Sequence, residues 1–324
     1  LDSSRFRMDC YTDNGSIRIQ YTSSDGITYT RTDTTGNPVD FGTENYALAS
    51  CYNGFIIGGG GYTLVRLVLS RLAETATSVE DFLDNKLPFA AEKMLAYIDE
   101  RVKFLVEEAA FFNSSFLIKE GFIKKELFTG MFGMVGLAEA VNHLLNATEQ
   151  KDRFGYGDAA NELGLKIVEK LNSIVTSYKS PYVGDAYKNS HVMHCQVGID
   201  TDTGISPGCR IPVGEEPEIF KHLIQSAPYH KYFFNGIGDI FVFEDTYKEH
   251  PEAIVNVIDG AFKAGIRYIS AYSGGCDVVR VTGYLVKKSE VAQLESGQAV
   301  KNNATVFGMN AKNGAKAFDR RLRD

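Results

Sequence analysis

The stretch Cys276-Asp277-Val278-Val279-Arg280-Val281-Thr282-Gly283-Tyr284-Leu285 lies near the C-terminal end of the chain. Apolar and β-branched residues flank one glycine, and by itself this pattern predicts a turn at Gly283 between two extended segments. The alternation over residues 266–272, just upstream, is also typical of a strand. The segment therefore belongs to a part of the fold in which strands converge on a glycine.

Upstream of this stretch, predicted strands alternate with predicted helices. A hairpin is indicated over 16–22 and 27–32, across Ser24-Asp25-Gly26, and a buried strand over 62–72. Further helices are predicted at 134–145, 158–175 and 216–225, and from Pro251 to just before Gly265. Further strands are predicted at 194–199 and 231–243. This alternation predicts an α/β fold with parallel strands whose edges lie under helices or close into a barrel.

One long helix is predicted after Ser78. Ser78-Val79-Glu80-Asp81 has the form of a capping box, and apolar residues follow it at helical spacing. We expect an interruption near Pro88, because proline cannot donate the helical hydrogen bond.

Composition excludes several classes of protein. The chain has 324 residues, with 34 Lys and Arg against 41 Asp and Glu, a formal net charge of −7. This mild acidity argues against nucleic-acid or anionic-membrane partners. The sequence contains neither a long apolar run nor a signal-peptide pattern, so we expect a soluble, cytoplasmic protein. Because the chain opens on Leu1 and begins directly in a segment, residues 3–12, that resembles the end of a longer element, we also expect an upstream part to be absent.

Other common sites are not predicted. The five cysteines are widely spaced without a CxxC pair, which argues against a disulfide framework or a zinc site built from cysteines. Gly58-Gly59-Gly60-Gly61 lacks the Gly-Lys-Ser/Thr of a phosphate loop. His191 and His194 are metal-ligand types, but on a strand they would point to opposite faces. We therefore expect no metal.

The segment around Gly283 resembles the C-terminal signature of the glycyl radical enzymes, Arg-Val-x-Gly-Tyr. The resemblance extends upstream through Arg210-Ile211-Pro212-Val213-Gly214-Glu215-Glu216-Pro217, Ala227-Pro228-Tyr229-His230-Lys231-Tyr232 and Gly238-Asp239-Ile240-Phe241. It is closest to the YjjI-like group and to the anaerobic ribonucleotide reductase branch. It implies a ten-stranded α/β barrel, with its second half in residues 1–265 and a glycine radical domain in residues 266–324 of the same globule.

The resemblance implies that Gly283 stores a radical. A radical at an α-carbon requires a planar centre that a β-carbon would crowd, and glycine avoids this crowding. A thiol must then relay the radical to the substrate. Met8-Asp9-Cys10 matches two residues of the Met-Gly-Cys loop that carries the thiyl cysteine in the reductase branch, so Cys10 is the preferred relay. Cys51, beside the glycine-rich loop, is the second candidate, with the alternative that it is a small core residue.

The remaining cysteines are assigned smaller roles: we expect Cys195 and Cys209 to be structural, while Cys276 either positions the radical loop or packs in it. The resemblance implies that Gly283 is supported by Arg280, Val281 and Tyr284. Candidates for the substrate pocket are Tyr268, Ser270, Tyr272 and Glu215; the alternative for the first three is that they pack beneath the radical loop. Glu215 and Glu216 would contact a polar substrate together with Arg210, or else begin a helix.

The expected activity is hydrogen abstraction from a small organic substrate. The resemblance implies a radical-SAM activating enzyme as a partner and no permanently bound cofactor. We expect a homodimer, or pairing with the missing N-terminal half, because a half-barrel has open edges. Alternatives are ribonucleotide reduction, a non-catalytic spare-part protein that carries only the glycine loop, and an inactive relative. The reductase branch carries a four-cysteine zinc site that this chain lacks, which favours the YjjI-like group.

Overall fold

The structure is a computed structural model that describes residues 55–195, 205–212, 214–234, 236–267, 269–273, 277–281 and 284–308, together with the backbone of 6–13, 16–23, 28–30 and 46–47. Its strands are β1 Phe6–Asp13, β2 Ser16–Ser23, β3 Thr28–Thr30, β4 Tyr46–Ala47, β5 Phe55–Ile56, β6 Gly60–Val68, β7 Phe128–Val135, β8 Val192–His194, β9 Ile240–Phe243, β10 Ser270–Ser273, β11 Val278–Val281 and β12 Tyr284–Lys287. Its α-helices are α1 Leu69–Ala73, α2 Val79–Asp81, α3 Leu87–Lys103, α4 Phe111–Ser114, α5 Phe116–Lys119, α6 Leu137–Leu144, α7 Asp158–Ser177, α8 Ile219–Ser226, α9 Pro251–Lys263 and α10 Lys288–Glu295. The expected alternation of strands and helices is confirmed.

A parallel three-stranded sheet in the order β6-β7-β8 forms the centre of the fold. Every residue of β7 is buried, because strands flank it on both edges and helices cover its faces. The covering helices α3 and α7 contribute fully buried apolar side chains such as Leu95, Ile98, Ile167 and Leu171. Parallel strands direct all their carboxyl ends to one edge of this sheet, and that edge positions the candidate site.

A second parallel pair joins β9 and β10 through α9, which forms a β-α-β unit. Pro251 begins α9, and Gly265 follows its end with φ +108°, as the sequence predicts. The register places Ser270 opposite Ile240. The start of β10 therefore lies beside the residues that lead into β9.

The N-terminal hairpin of β2 and β3 is confirmed, with Gln20 opposite Thr30. The predicted loop at Met8-Asp9-Cys10 is wrong, because these residues lie inside β1 and Cys10 is paired with Ile19 of β2. Phe6, Met8 and Cys10 alternate with charged residues, which is the pattern of a strand, and β2 offers an edge for it.

At the C-terminal end, β11 and β12 pair antiparallel, with Val281 opposite Tyr284. This confirms the predicted extended segments on both sides of the glycine. Thr282 and Gly283, which connect them, lie outside the described residues. After β12 the chain continues directly into α10.

Some predicted boundaries are wrong. The strand predicted over 62–72 stops at Val68, where α1 begins, and the first two residues of the helix predicted over 134–145 belong to β7. Among the described residues of the predicted strand 231–243, Ile240–Phe243 form the strand, because a 3-10 helix, Ala227–Tyr232, continues from α8. The strand predicted over 194–199 corresponds to β8, which lies earlier in the chain, at Val192–His194. Residues 196–199 lie outside the described part.

The interruption expected near Pro88 is confirmed, as a π-helical turn just before it. Ser78 caps α2 by accepting a hydrogen bond from the amide of Asp81. The helix then passes through a π-helical turn, Phe82–Lys86, before α3 begins with Pro88 in its first turn. The wider turn accommodates the missing proline amide without breaking the helix.

Among the described residues, the strands form five separate sheets of two or three strands each. The fold is thus mixed α/β, as predicted. These sheets do not close into a barrel within the described part of the chain.

Candidate functional site

The carboxyl edge of the central sheet gathers segments from distant parts of the sequence. Val135, the last residue of β7, forms a bridge to Pro207. The amide of Gly208 donates to the carbonyl of Met134 at 3.0 Å, and the amide of Gly238 donates to the carbonyl of Cys195, which follows β8, at 3.1 Å. In open α/β sheets, ligands bind at this edge. The loops 205–212 and 236–239 are therefore held where a site is expected.

Two buried cysteines lie at this edge. The Cys195 thiol accepts a hydrogen bond from the amide of Cys209 at 3.3 Å, and neither residue forms a disulfide. Burial, followed by contact with Cys195, raises the pKa of the Cys209 thiol well above its usual range. Cys209 is therefore a protonated thiol at neutral pH. The interpretation of both cysteines as structural agrees with their burial.

A fully buried carboxylate, Asp239, organises the polar groups nearby. It is only 1% exposed. One oxygen is 3.0 Å from Nε2 of His222 and accepts from the Ser226 hydroxyl at 2.9 Å. The other accepts from the amide of Ile240 at 2.8 Å and forms an ion pair with Nε of Arg210 at 3.4 Å. Asp239 thus connects the loop 205–212, helix α8 and the start of β9.

The electrostatics of this cluster keep Asp239 ionised. Burial alone would raise the pKa of Asp239, but the interaction with His222, followed by the Arg210 guanidinium and the amide of Ile240, holds it well below its usual range. Arg210 is itself 2% exposed, and its Nη2 also lies 3.8 Å from the carboxylate of Glu216. A cation buried to this degree requires such compensation.

Helix α8 presents a polar face to the interior. Its N-cap Glu218 accepts hydrogen bonds from the amides of Phe220 and Lys221. Phe220 and Ile224 are 55% and 69% exposed. Five polar side chains are buried on α8 and the 3-10 turn that follows it: His222, Gln225, Ser226, Tyr229 and His230. This is the reverse of an ordinary amphipathic helix, in which the polar side faces water.

His230 is fixed in one orientation within this face. Its Nδ1 accepts hydrogen bonds from the amides of Ile237 at 3.2 Å and Arg267 at 3.1 Å. Burial lowers the pKa of His230 to about 3; the Asp239 charge opposes this shift and the Arg267 charge adds to it. The ring is therefore neutral, and because Nδ1 accepts, the proton is on Nε2.

The predicted pocket residues divide into three groups. Glu215 forms an ion pair with Arg153 at 2.8 Å and remains partly exposed, while Glu216 reaches Arg210. Ser270 is partly buried in β10 beside the residue that follows Asp239. The remaining predicted site residues, or their side chains, lie outside the described part: Cys10, Cys51, Tyr268, Tyr272, Cys276, Arg280, Val281, Gly283 and Tyr284.

Sequence reasoning missed the residues that make the cluster: His222, Gln225, Ser226, His230 and Asp239. A signal was present, because polar residues recur over 222–230 at helical spacing while apolar ones occupy the opposite side. Without knowledge of which side is buried, that pattern is that of an ordinary surface helix.

A second polar cluster lies at the opposite edge of the sheet, where β8 begins. The Asp99 carboxylate accepts from Tyr178 and Ser180, each at 2.6 Å, and is 2.9 Å from Nε2 of His191. It connects α3 to the chain entering β8. Among the residues that the structure describes, no group of three His, Cys, Asp or Glu side chains could hold a metal ion. Nor does any helix in that part of the chain have the length and apolarity to cross a membrane.

Comparison with known proteins identifies a family. Residues 33–323 match the family described as glycyl radical enzyme, YjjI-like. An uncharacterised protein of Haemophilus influenzae is 46% identical over 284 residues, and the protein YjjI of Escherichia coli K12 is 40% identical over 283 residues. Each alignment covers 87% of this chain but 55% and 54% of the relative. The chain thus spans about half the length of the curated relatives it matches.

Solved structures share the fold at low sequence identity. The anaerobic ribonucleotide reductase of Thermotoga maritima with MES in its active site aligns with a TM-score of 0.55 and 14% identity, over 72% of this chain and 44% of the reductase. A structure from Roseburia inulinivorans concerned with 1,2-propanediol dehydration aligns with a TM-score of 0.53 and 12% identity, over 76% of this chain and 44% of that one. These likenesses concern the fold.

Proposed function

Because this chain belongs to the YjjI-like family of glycyl radical enzymes, we propose that it forms part of an enzyme that stores a radical on Gly283 and passes it through a cysteine to a small organic substrate. The observation that carries this proposal is the family match over residues 33–323, which includes the signature around Gly283. The antiparallel pairing of Val281 with Tyr284 supports it, since this pairing leaves only Thr282 and Gly283 to connect β11 and β12.

In the proposed relay, the glycyl α-carbon takes a hydrogen atom from a thiol, and the resulting thiyl takes one from a substrate C–H bond. Two observations favour Cys51 over Cys10 for this role. The family match includes Cys51 and begins after Cys10. In addition, the Cys10 backbone is paired within β1 rather than looped. We therefore propose Cys51 as the thiyl residue, a reversal of the order that the sequence pattern alone suggested.

The polar cluster at the carboxyl edge of the sheet is the proposed wall of the substrate pocket. A buried network of this kind costs desolvation energy that an apolar core would avoid, which is typical of a binding site. Residues 1–265 would then supply part of a ten-stranded barrel, and residues 266–324 the radical domain. The open sheets would be completed by the rest of a longer protein or by a second copy, and a radical-SAM activating enzyme would install the radical.

Ribonucleotide reduction is the weaker alternative. A nucleotide triphosphate requires cations that are free to contact it. Among the described residues of the cluster, Arg210 is engaged by Asp239 and Glu216, and nearby Arg153 by Glu215. A spare-part protein would have no need of the buried polar face of α8.

The experiment uses the full-length protein, incubated anaerobically with its activating enzyme and S-adenosylmethionine. We expect an organic-radical resonance and, on exposure to air, cleavage of the main chain at Gly283. Gly283→Ala should abolish both. Cys51→Ser should keep the resonance and the cleavage but lose turnover, and Cys10→Ser serves as the matched control that keeps all three. A protein that gives no resonance under these conditions would refute the proposal.

A further inference from the structure

We propose that the buried Nε2 of His230 binds an uncharged, hydroxyl-bearing small molecule at the inward side of α8 and of the 3-10 turn that follows it. The inference rests on the proposed function, because it assigns a substrate class to the proposed pocket. It is carried by buried hydrogen-bonding atoms that the described part of the protein leaves unused.

The first of these atoms is Nε2 of His230. Nδ1 is occupied by the amides of Ile237 and Arg267, so Nε2 carries the proton and can only donate. It is buried, and it has no hydrogen-bond partner among the described residues. A buried donor without a partner is costly and rare. We therefore expect a group absent from the described structure to accept a hydrogen bond from it.

The backbone around His230 is built to hold the ring in this orientation. Gly236 has φ +92°, a conformation that glycine favours, and a β-carbon there would collide with Nδ1 of the ring. The close approach of the chain brings the amide of Ile237 to the imidazole. The ring is thus held from one side, and its donor is directed away from the backbone that holds it.

The second unused group is the side-chain amide of Gln225. It is 9% exposed, and neither its oxygen nor its nitrogen has a hydrogen-bond partner among the described residues. Gln225 shares the buried helical face with His222 and Ser226, whose Nε2 and hydroxyl are bonded to Asp239. An amide offers one acceptor and a donor group, which together match a hydroxyl, since a hydroxyl both donates and accepts.

The charges of the cluster indicate that the ligand is uncharged. Asp239 forms an ion pair with Arg210 and a hydrogen bond with His222, and Arg210 is also close to Glu216. Arg267 is partly exposed, and it contacts His230 through its backbone amide. The Arg267 guanidinium acts on His230 from a partly exposed side chain, so water screens its charge. A charged ligand would lose its hydration for at most this weak compensation, whereas a neutral hydroxyl compound would lose little.

Two substitutions test the roles of the two ring nitrogens of His230 separately. His230→Asn keeps an acceptor at the position of Nδ1, so the amides of Ile237 and Arg267 stay bonded, but it removes the donor. His230→Gln keeps a donor at the position of Nε2 and removes the acceptor. The first should weaken binding with little loss of stability, and the second should lower stability while binding is retained.

The test measures binding of glycerol and of 1,2-propanediol to the full-length protein by nitrogen-15 NMR of its labelled histidine rings, with acetate as the charged control. We expect both diols to shift the Nε2 resonance of His230, acetate to bind at least tenfold more weakly, and His230→Asn to raise the Kd for glycerol roughly three- to tenfold, as the loss of one neutral hydrogen bond implies. His230→Gln should stay within about twofold of the wild type.

Three results would overturn the inference: tighter binding of acetate than of glycerol, an unchanged Kd in His230→Asn, or no saturable binding of either diol. The radical resonance of the same samples keeps this test separate from the proposed function. Diol binding without a resonance would refute the proposed radical function and support the binding site. A resonance without diol binding would support the radical function and refute the binding site.

Discussion

Substituting Asp239→Asn removes one negative charge from the buried cluster with almost no change in shape. Asparagine retains an oxygen that accepts from the amide of Ile240, but Arg210, 2% exposed, loses the carboxylate 3.4 Å from its Nε. Breaking a buried pair in this way costs about 3–5 kcal/mol. With a urea dependence of about 3 kcal/mol per molar, the unfolding midpoint should fall by about 1–2 M.

The assay is urea unfolding followed by far-UV circular dichroism, since the chain has no tryptophan for fluorescence. Ser226→Ala is the control, because it removes one donor from the same carboxylate without leaving a charge unpaired, and it should cost about 1.5–3 kcal/mol. Adding Arg210→Met to Asp239→Asn should recover part of the loss, because it removes the charge left without its partner. A single Asp239→Asn variant no less stable than Ser226→Ala would refute the electrostatic account of the cluster.

Two further predictions concern buried groups. The pKa of His230 is lowered to about 3, whereas a histidine in the unfolded chain has a pKa of about 6.5, so the unfolded chain binds more protons between these values. The free energy of unfolding should therefore fall as pH drops from about 6.5 toward 3, by up to roughly 1.4 kcal/mol per pH unit from this residue. His230→Asn should remove that slope, and an unchanged slope would contradict the assignment. Cys195 and Cys209 should resist iodoacetamide in the native protein and react in urea, because both are buried and the Cys209 thiol stays protonated. Mass spectrometry of the labelled peptides checks this. Rapid labelling of the native protein would show that reagents reach the carboxyl edge of the sheet.

Local signals in the sequence predicted much of the secondary structure. Capping by Ser78, the start of α9 at Pro251 and its end before Gly265 follow from bonding and conformational rules that act within a few residues. The strands on both sides of Gly283 follow from their β-branched composition. The family followed from the signature around Gly283, since its chemistry depends on adjacent residues.

The wrong predictions of secondary structure arose where contacts with other parts of the chain decide the conformation. The alternation in residues 6–13 became a strand because β2 provides its partner, and residues 231–232 became helical because the chain continues from α8. The strand at 6–13 agrees with its local alternation, which the resemblance to a loop outweighed, whereas the helical turn at 231–232 cannot be derived from its own residues, since propensity yields to tertiary context.

The sequence by itself determined the α/β class, several helix ends and the family, because each depends on neighbours along the chain. Only the tertiary structure decided the candidate site. Asp239, His222 and Arg210 are separated in sequence. They meet because the loops that carry Arg210 and Asp239 bond to the chain at the carboxyl ends of β7 and β8, and α8 packs beside them. Burial there makes this face of α8 part of a hydrogen-bonded network. Burial and long-range contact set the energy of a polar group, and neither can be read from its neighbours along the chain.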